Sequence, residues 1–411
     1  MAYGPNARCA GDGPGSMLVP RPLDHRRKPP HRQINPRHVA PPAAPRRPPA
    51  CRSILEPRRT ARNISSPAAG GRSPQRPARG ISGRSGRLGR GWELRRSPNP
   101  RELARNVADA FRIPLGVVQA ALTVARTRPA VVFSTGGFVS VPIGLAAALF
   151  RVPYLMHEQT LSVGLANRIL ARVATRVLLS HEASLDHLPP RARRRAVVTG
   201  NPVRPAVLNG NPARGLAAYG LDPAVPLVLV TGGAAGALQI NRMLAGTLPN
   251  LLRHCQIVHQ CGSHGHAEMQ QVAQALPAQL AHRYHVVDFI HDELPDLLAA
   301  ATVVVARSGA GTVAELTALG KAAILVPYPV SAGDEQRITA RHLAHHGAAV
   351  MLDGDQATPD HLHTAITALL ADPARRTAMS RTATAYGRPD AAARVVTEIL
   401  TVSADQRQRR R

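Results

Sequence analysis

The sequence predicts an α/β fold made of two doubly wound parallel sheets with a cleft between them. Short apolar runs rich in valine, leucine and isoleucine alternate with helical segments from residue 101 to the C-terminal end. A pair of glycines follows such a run in each half of the chain, at Gly136-Gly137 and again at Gly232-Gly233. Because ligands bind at the carboxyl ends of parallel strands, we expect both glycine turns to face the cleft.

The first hundred residues differ in composition from the rest of the 411-residue chain, whose net charge is +27. They hold 21 of the 52 Lys and Arg residues, four of the 25 acidic residues and 18 of the 37 prolines. Such a segment cannot bury enough apolar surface to offset its chain entropy, so residues 1–80 are predicted to be a disordered basic tail. Three interpretations of the tail stay open: a solvated extension, a segment attracted by charge to nucleic acid or anionic membrane, or out-of-frame translation.

Cysteine use and hydropathy argue against a secreted or membrane-spanning class. The four cysteines, at positions 9, 51, 255 and 261, show no disulfide framework, which is typical of a reducing compartment. The N-terminal residues lack the apolar core of a signal peptide. The longest apolar run, Val141 to Phe150, is far shorter than the roughly 20 residues needed to cross a bilayer.

Residues 81–204 are predicted to form a first domain. Residues 101–126 are predicted to be helical with a break at Pro114. Further on, helices are predicted at 141–150 and 165–171, and strands at 129–134, 152–156, 174–180 and 196–198. The second of these strands is followed by His157-Glu158-Gln159-Thr160, which places polar groups at the sheet edge that faces the cleft.

Residues 205–225 are predicted to link this domain to a second one at 226–385. Within the second domain, helices separate strands predicted at 226–231, 256–260, 285–289, 302–306, 321–328 and 348–352. Residues 386–411 are predicted to be a C-terminal helix that returns to the first domain, followed by a basic tail.

The stretch from Ala301 to Arg341 shows a phosphate-binding pattern. A strand ends in a glycine turn, and Thr312 with Glu315 three residues later predicts a capping box at the start of a helix. The free amides and the dipole of such a helix favour an anion, while Glu315 would also suit the two hydroxyls of a ribose. Gly333-Asp334-Glu335-Gln336 adds polar groups at the same edge. An ordinary capped helix is the alternative.

Residue spacing distinguishes further candidate sites. The turn Gly232–Gly236, together with the turn at 309–311 in the same predicted sheet, predicts diphosphate binding. The histidines and cysteines between 254 and 266 contain no pair suitably placed on a turn or helix, so no metal site is predicted there. His157-Glu158 suits a general-base pair, with a carboxylate that binds loop amides as the alternative. Arg204 either pairs with phosphate or ties the domains together.

In combination these segments resemble the MurG family, the peptidoglycan N-acetylglucosaminyltransferases with the GT-B fold of two Rossmann-like domains. The resemblance covers about residues 81–411. The motifs that carry it, in family order, are STGGFVSVPIG, VPYLMHEQT, TGNPVR, LVTGGAAGALQIN, HQCG, FIHDELPDLL, VVVARSGAGTVAEL and AGDEQRITAR.

The resemblance implies an inverting transfer of GlcNAc from UDP-GlcNAc to the muramoyl 4-hydroxyl of undecaprenyl-diphosphate-linked MurNAc-pentapeptide. This step turns lipid I into lipid II in peptidoglycan synthesis at the cytoplasmic face of the membrane. The implied partners are UDP-GlcNAc, the lipid-linked acceptor and an anionic membrane surface, and nucleic acid is not expected. No cofactor and no metal are implied.

The resemblance also implies roles for single residues. Glu315 would hold the ribose hydroxyls, the backbone of Ile290 would contact uracil, and Gln336 would bind GlcNAc hydroxyls. The donor set implied in full is Arg204, Ala234, Ile290, Ala310, Gly311, Thr312, Val313, Ala314, Glu315 and Gln336. The acceptor side would be lined by Gly136, Gly137 and Thr160, with His157 and Glu158 as the catalytic pair.

Three departures from the family pattern matter. The family's first strand and glycine loop, of the form TGGTGGH, are absent from residues 1–80. Thr160 stands where asparagine is usual, and Ala234 stands where serine is usual. We therefore expect an incomplete first domain and little or no transfer by the chain alone. The alternatives are a UDP-sugar-binding relative that is inactive or needs a partner, and a glycosyltransferase acting on a secondary metabolite.

The helical segment before the first strand carries a predicted membrane contact. Its apolar residues Phe111, Ile113, Leu115 and Val118 lie beside Arg105, Arg112 and Arg126. Apolar residues flanked by arginine suit the interface of an anionic bilayer. Packing of the same face on its own sheet is the alternative.

Overall fold

The structure is a computed structural model that describes residues 115–410. The chain divides into two units, Met1–Pro74 and Gln75–Arg411, and every described residue belongs to the second. The predicted basic tail at residues 1–80 and residues 101–114 of the segment predicted to be helical lie outside the described residues.

The first sheet has four parallel strands in the order β1-β2-β3-β4. The strands are β1 (Val132–Ser134), β2 (Tyr154–Glu158), β3 (Arg176–Leu179) and β4 (Ala196–Val198). The helices of this part are α1 (115–127), α2 (Ser140–Leu149), α3 (Leu165–Val173) and α4 (Pro190–Arg193), with a 3₁₀ helix at Glu182–His187.

Both faces of the first sheet are covered, as a parallel sheet requires. Met156 and Val177 pack on one face against helices α1 to α4. Leu155 and Leu178 pack on the other face against Val395 of the C-terminal helix α16 (Ala391–Arg410). The last helix of the chain therefore completes the core of the first sheet.

The second sheet has six parallel strands in the order β10-β9-β8-β5-β6-β7. The strands are β5 (Leu227–Thr231), β6 (Gln256–Gln260), β7 (Tyr284–Val287), β8 (Val303–Ala306), β9 (Ala323–Leu325) and β10 (Val350–Met351). The helices are α7 (Leu238–Ala245), α8 (Leu248–Leu251), α9 (His266–Gln274), α10 (Ala278–Ala281), α11 (Leu294–Ala300), α12 (Ala310–Ala318), α13 (Glu335–His345), α14 (Pro359–Ala371) and α15 (Pro373–Tyr386). Two parallel sheets in an α/β chain confirm the predicted fold class.

The strand order reverses between β5 and β8, which are neighbours in this sheet although more than 70 residues apart in sequence. Successive strands are added outward from β5 through β6 and β7, and outward from β8 through β9 and β10. Such a reversal opens a crevice at the carboxyl ends of the two central strands, which is the usual ligand site of this architecture.

Residues 205–225 contain more regular structure than a simple linker. Two short helices, α5 (Pro205–Leu208) and α6 (Pro212–Ala218), pack against α11 of the second sheet. Gly210 and Gly215 allow this close approach, because a side chain at either position would meet the backbone of α11. Asp296 of α11 accepts a hydrogen bond from Asn211 N at 2.7 Å.

Within residues 115–410, no helix combines the length and the apolar character that crossing a membrane requires.

Candidate functional site

Two glycine turns meet at the point where the strand order reverses. The first follows β5, and its Gly233 and Gly236 have φ angles of +80° and +74°. A side chain at Gly236 would meet the backbone of Cys261 and Gly262 at the end of β6. The second turn, Arg307 to Gly309, follows β8. The sequence prediction that the two turns lie in one sheet is therefore confirmed by adjacent strands.

The two turns enclose a cavity of about 670 Å³. Its walls come from the turn after β5, the loop after β6, the start of α12, the loop after β9 and the start of α13. Among the predicted donor residues, Thr312 and Gln336 line it directly. Lining residues that were not predicted include Gln239, His264, Arg307 and Tyr328.

The start of α12 lies at this cavity, whose lining includes Gly309 and Thr312. Gly309 is the N-cap residue, with extended backbone angles and no side-chain cap, and the helix begins at Ala310. The predicted capping box is therefore wrong: Thr312 already lies inside the first turn, and Gly309 has no side chain to cap with. The amides of Ala310, Gly311 and Thr312 have no partner within the helix, because they precede its first i to i−4 bond. Val313 N makes that bond, to Gly309 O at 2.9 Å.

Glu315 binds Arg204, which lies in the segment that connects the two sheets, residues 199–226, here called the hinge. Arg204 follows β4, and its Nε and Nη2 atoms donate to Glu315 Oε1 at 3.0 and 2.9 Å. The arginine side chain is 58% exposed and the glutamate side chain 17%. Two residues that the resemblance assigned to the donor site thus contact each other, although 111 positions separate them in sequence.

Arg307 is a cavity residue whose role the sequence reasoning missed. Its Nη1 donates to Gln239 Oε1 at 2.9 Å and to the carbonyls of Val326 and Pro327 at 3.0 and 2.8 Å. The guanidinium carbon lies 5.5 Å from the centre of the Tyr328 ring. Burial lowers the pKa of Arg307 from its usual value. The available signal was its place directly after a buried strand and before the glycine turn.

Ile290 and Gln260 tie the loop after β7 to the first glycine turn. Ile290 is buried, and its N–H donates to Gln260 Oε1 at 2.9 Å. The amide nitrogen of the same glutamine donates to Gly233 O at 2.8 Å. The backbone N–H of Ile290, a residue predicted to contact uracil through its backbone, is therefore already engaged in a hydrogen bond.

Gln336 orders the loop after β9. Its Oε1 accepts a hydrogen bond from Tyr328 N at 3.0 Å, and its own carbonyl accepts one from Ser308 Oγ at 2.8 Å. The side chain that was predicted to bind sugar hydroxyls thus fixes the aromatic wall of the cavity and links it to the second glycine turn.

On the other side of the cleft, Glu158 supports the glycine turn that follows β1. Its Oε1 accepts from Thr160 N at 3.0 Å and from Thr160 Oγ1 at 2.9 Å, and its Oε2 accepts from Asn167 Nδ2 at 2.6 Å. Asn167 Oδ1 in turn accepts from Gly137 N at 3.0 Å. Gly136 and Gly137 have φ angles of +83° and +80°. One carboxylate oxygen therefore supports the turn through Asn167, and the other binds Thr160 in the loop after β2.

His157 lies inside the first sheet rather than in the cleft. It is 1% exposed, and its Nε2 lies 2.9 Å from Gly200 O at the end of β4. Its Nδ1 is buried and has no partner among residues 115–410. Burial lowers the pKa of this imidazole. The packing of β2 between helices on both faces argues against direct contact of His157 with a substrate.

The histidines and cysteines near β6 are dispersed through the core and the surface. His259 is fully buried between Tyr284 Oη at 2.9 Å and Asn241 Oδ1 at 3.1 Å. Cys255 and Cys261 are buried free thiols. Within the described part of the chain, no group of three or more His, Cys, Asp or Glu side chains is arranged to hold a metal ion.

Family models match both halves of the chain. Residues 227–395 match the glycosyltransferase family 28 C-terminal domain, and residues 88–179 match the glycosyltransferase family 28 N-terminal domain.

Curated relatives of the chain share one name, UDP-N-acetylglucosamine–N-acetylmuramyl-(pentapeptide) pyrophosphoryl-undecaprenol N-acetylglucosamine transferase. The Lachnospira eligens protein is 35% identical over 269 residues, covering 65% of this chain and 73% of that protein. The Desulforudis audaxviator protein is 36% identical over 290 residues, covering 70% of this chain and 77% of that protein.

Solved structures resemble the described fold. The crystal structure of MurG from Acinetobacter baumannii aligns with a TM-score of 0.58 at 28% identity, covering 71% of this chain and 79% of that one. UDP-GlcNAc 2-epimerase from Neisseria meningitidis, bound to UDP-GlcNAc, aligns with a TM-score of 0.52 at 14% identity, covering 75% of this chain and 84% of that one. The second likeness concerns the fold alone.

Proposed function

The chain belongs to the MurG family of glycosyltransferase family 28, and from that premise we propose that it makes lipid II from lipid I. It transfers GlcNAc from UDP-GlcNAc, with inversion, to the muramoyl 4-hydroxyl of undecaprenyl-diphosphate-linked MurNAc-pentapeptide. The observation that carries the proposal is the cavity at the strand-order reversal, where a glycine turn and the free amides of α12 come together.

The cavity suits the diphosphate of the donor. Three unpaired amides at the start of α12 and the positive end of its dipole favour a negative charge there. Arg307 adds a cation to the same wall, and its partly buried position strengthens its attraction for phosphate oxygens. The turn at Gly232 and Gly233 lets the backbone approach the ligand closely.

Ribose binding is proposed to replace the ion pair between Arg204 and Glu315. The two ribose hydroxyls would donate to the Glu315 carboxylate, which now accepts two hydrogen bonds from Arg204. Arg204, whose side chain is more than half exposed, would then be free to turn toward the diphosphate. Donor binding would thereby be coupled to the hinge, because Arg204 lies within it, between β4 and α5.

We place the acceptor on the side of the cleft formed by Gly136 and Gly137. Glu158 holds this turn through Asn167, so we assign Glu158 a positioning role toward the acceptor. Proton transfer by His157 or Glu158 is not part of this proposal. The one atom of the two side chains without a partner, His157 Nδ1, is buried, and both oxygens of Glu158 accept hydrogen bonds. We keep both residues as supports of the acceptor side.

Attachment to the membrane is proposed through α2 of the first domain. Leu149 and Phe150 are 73% and 43% exposed, and Leu165 at the start of α3 is 66% exposed. Arg151 directly follows Phe150, and Arg172 lies in the last turn of α3. Exposed apolar residues beside arginines fit the headgroup region of an anionic bilayer, which holds the lipid-linked acceptor. Leu115 and Val118 of the predicted contact are 52% and 53% exposed, while Phe111 and Ile113 lie outside the described residues.

This proposal departs from the expectation of little or no transfer, which rested on residues 1–80. Those residues lie outside the described range, while both sheets, the hinge and the donor cavity lie within it. The test is a transfer assay with UDP-GlcNAc and a lipid I analogue, run beside calorimetric titration of UDP-GlcNAc. Transfer with donor binding supports the proposal, and donor binding without transfer would favour a nucleotide-sugar-binding relative instead.

A further inference from the structure

Arg307 places a positive charge in the wall of the donor cavity, and only neutral groups hold it there. Its Nη1 atom donates to three oxygens, those of the Gln239 side chain and of the Val326 and Pro327 carbonyls, at 2.9, 3.0 and 2.8 Å. Within residues 115–410 no acidic side chain forms an ion pair with this half-buried arginine. Because charges withdrawn from water are usually paired, an uncompensated guanidinium in a cavity wall suits an anionic ligand.

Gln239 supplies the side-chain contact to Arg307. It is the second residue of α7, the helix that follows the first glycine turn, and it is half-buried and lines the same cavity. A guanidinium only donates hydrogen bonds, so the oxygen of the Gln239 amide has to face it. The contact joins the helix after the first glycine turn to the arginine that opens the second turn, 68 positions away in sequence.

The remaining donors of Arg307 are left for a ligand. The guanidinium carbon lies 5.5 Å from the centre of the Tyr328 ring, and Tyr328 is itself fixed by the hydrogen bond from its N–H to Gln336 Oε1. The Nε and Nη2 atoms of Arg307 make no hydrogen bond within the described part of the chain. Together they form one edge of the planar group, and such an edge binds phosphate oxygens through two parallel hydrogen bonds.

We propose that Gln239 is a positioning residue that fixes Arg307 for the diphosphate of the nucleotide sugar. This assignment rests on the proposed function. The neutral amide holds one end of the guanidinium and leaves its charge uncompensated. A carboxylate at the same position would hold the guanidinium equally well, but it would compensate the charge that the diphosphate needs. Residue 239 therefore sets how strongly this wall of the cavity attracts an anion.

Two substitutions separate this role from a purely structural one. Gln239→Leu removes the acceptor, so the melting temperature should fall and the Kd for UDP-GlcNAc should rise about 2- to 12-fold. Gln239→Glu keeps an acceptor and pairs with Arg307, so the melting temperature should not fall. Its Kd should nevertheless rise about 10- to 150-fold, because the carboxylate compensates the cation and repels the diphosphate. A purely structural role would make glutamate the better tolerated residue in both measurements.

A control and a double-mutant cycle complete the test, which uses the full chain, calorimetric titration of UDP-GlcNAc and thermal unfolding. Gln270→Glu adds the same charge at an exposed position of α9 outside the cavity lining, and it should bind the donor as the unmodified chain does. Arg307→Lys keeps the charge and removes the planar edge. In that background Gln239→Leu should change the Kd by less than about twofold, since there is no longer an edge to position.

The possible results separate the assignment of Gln239 from the proposed function. Donor affinity of Gln239→Glu equal to or better than that of Gln239→Leu would overturn the assignment. An undiminished effect of Gln239→Leu in the Arg307→Lys background would overturn it as well, because it would show a contact of Gln239 with the donor that does not act through Arg307. Failure of the unmodified chain to bind UDP-GlcNAc would instead overturn the proposed function, and the assignment with it.

Discussion

Glu315→Gln removes the charge that binds Arg204 in the free protein and, in our account, the ribose of the donor. The side chain is 17% exposed and sits in the middle of α12, where it makes no capping bond. Glutamine has nearly the same shape and keeps one acceptor oxygen. The substitution therefore changes charge and hydrogen bonding while leaving the packing of α12 on the sheet unchanged.

The expected losses differ for binding and for folding. A carboxylate that accepts two hydroxyls makes charge-assisted hydrogen bonds, worth about 1.5–3 kcal/mol in all, so the Kd for UDP-GlcNAc should rise about 10- to 150-fold. The ion pair with Arg204 contributes little to folding, because the arginine side chain is 58% exposed and screened by water. Exposed pairs of this kind are worth about 0.2–1 kcal/mol.

Calorimetric titration of UDP-GlcNAc and urea unfolding measure the two quantities on the same protein. The matched control is Glu398→Gln. Glu398 lies on α16 and forms a partly exposed ion pair with Arg176 of β3, so the substitution removes an ion pair and leaves the cavity intact. We expect the control to lose a similar small amount of stability and no donor affinity. Unchanged donor affinity in Glu315→Gln, or equal affinities in the two variants, would refute the assignment of Glu315 to the ribose.

Three further predictions concern the cavity wall, the membrane face and the core. Gly236→Ala should weaken donor binding, and it should lower the melting temperature by more than Gly347→Ala does. Both glycines have positive φ, but of the two only a side chain at Gly236 would meet a neighbouring loop. Equal effects of the two substitutions would contradict this. Leu149→Glu should reduce cosedimentation with vesicles rich in phosphatidylglycerol, whereas Leu400→Glu should not, although Leu400 of α16 is also an exposed apolar residue, at 62% against 73% for Leu149. Burial lowers the pKa of His259 in the folded protein to about 3, whereas a histidine in the unfolded chain has a pKa of about 6.5. Below pH 6.5 only the unfolded chain binds the proton, so the free energy of unfolding should fall by about 2 kcal/mol between pH 7 and pH 5. A His259→Gln variant with the same dependence on pH would refute this.

The sequence was sufficient to predict the fold class and the two glycine turns because both depend on local patterns. Alternating apolar and helical segments reveal parallel strands with crossover helices, and a glycine pair after a strand reveals a tight turn. The same pattern predicts that the turns after β5 and β8 belong to one sheet, whereas the pairing of β5 directly with β8 is a finding of the structure.

The start of α12 and the surroundings of β2 were beyond such patterns. The capping prediction was wrong because Gly309 adopts the extended N-cap conformation. The helix therefore begins at Ala310, and Thr312 lies inside its first turn, where it is not the N-cap residue. The burial of His157 depends on β2 being covered by helices on both faces, among them α16, whose Val395 lies more than 230 residues away from His157 in sequence.

Polar pairs between residues far apart in sequence could not be predicted from local patterns either. Arg204 and Glu315 were each assigned to the donor by resemblance, but their mutual ion pair requires the hinge geometry that brings β4 beside α12.

The central claim is tested most directly by the product of the reaction. The full chain is incubated with UDP-GlcNAc and a lipid I analogue, UDP release is quantified, and the linkage of the isolated disaccharide is determined by NMR. Our account predicts a β-linked GlcNAc on the muramoyl 4-hydroxyl, with one UDP released for each sugar transferred. An α-linked product, or UDP-GlcNAc binding with no disaccharide formed, would contradict it.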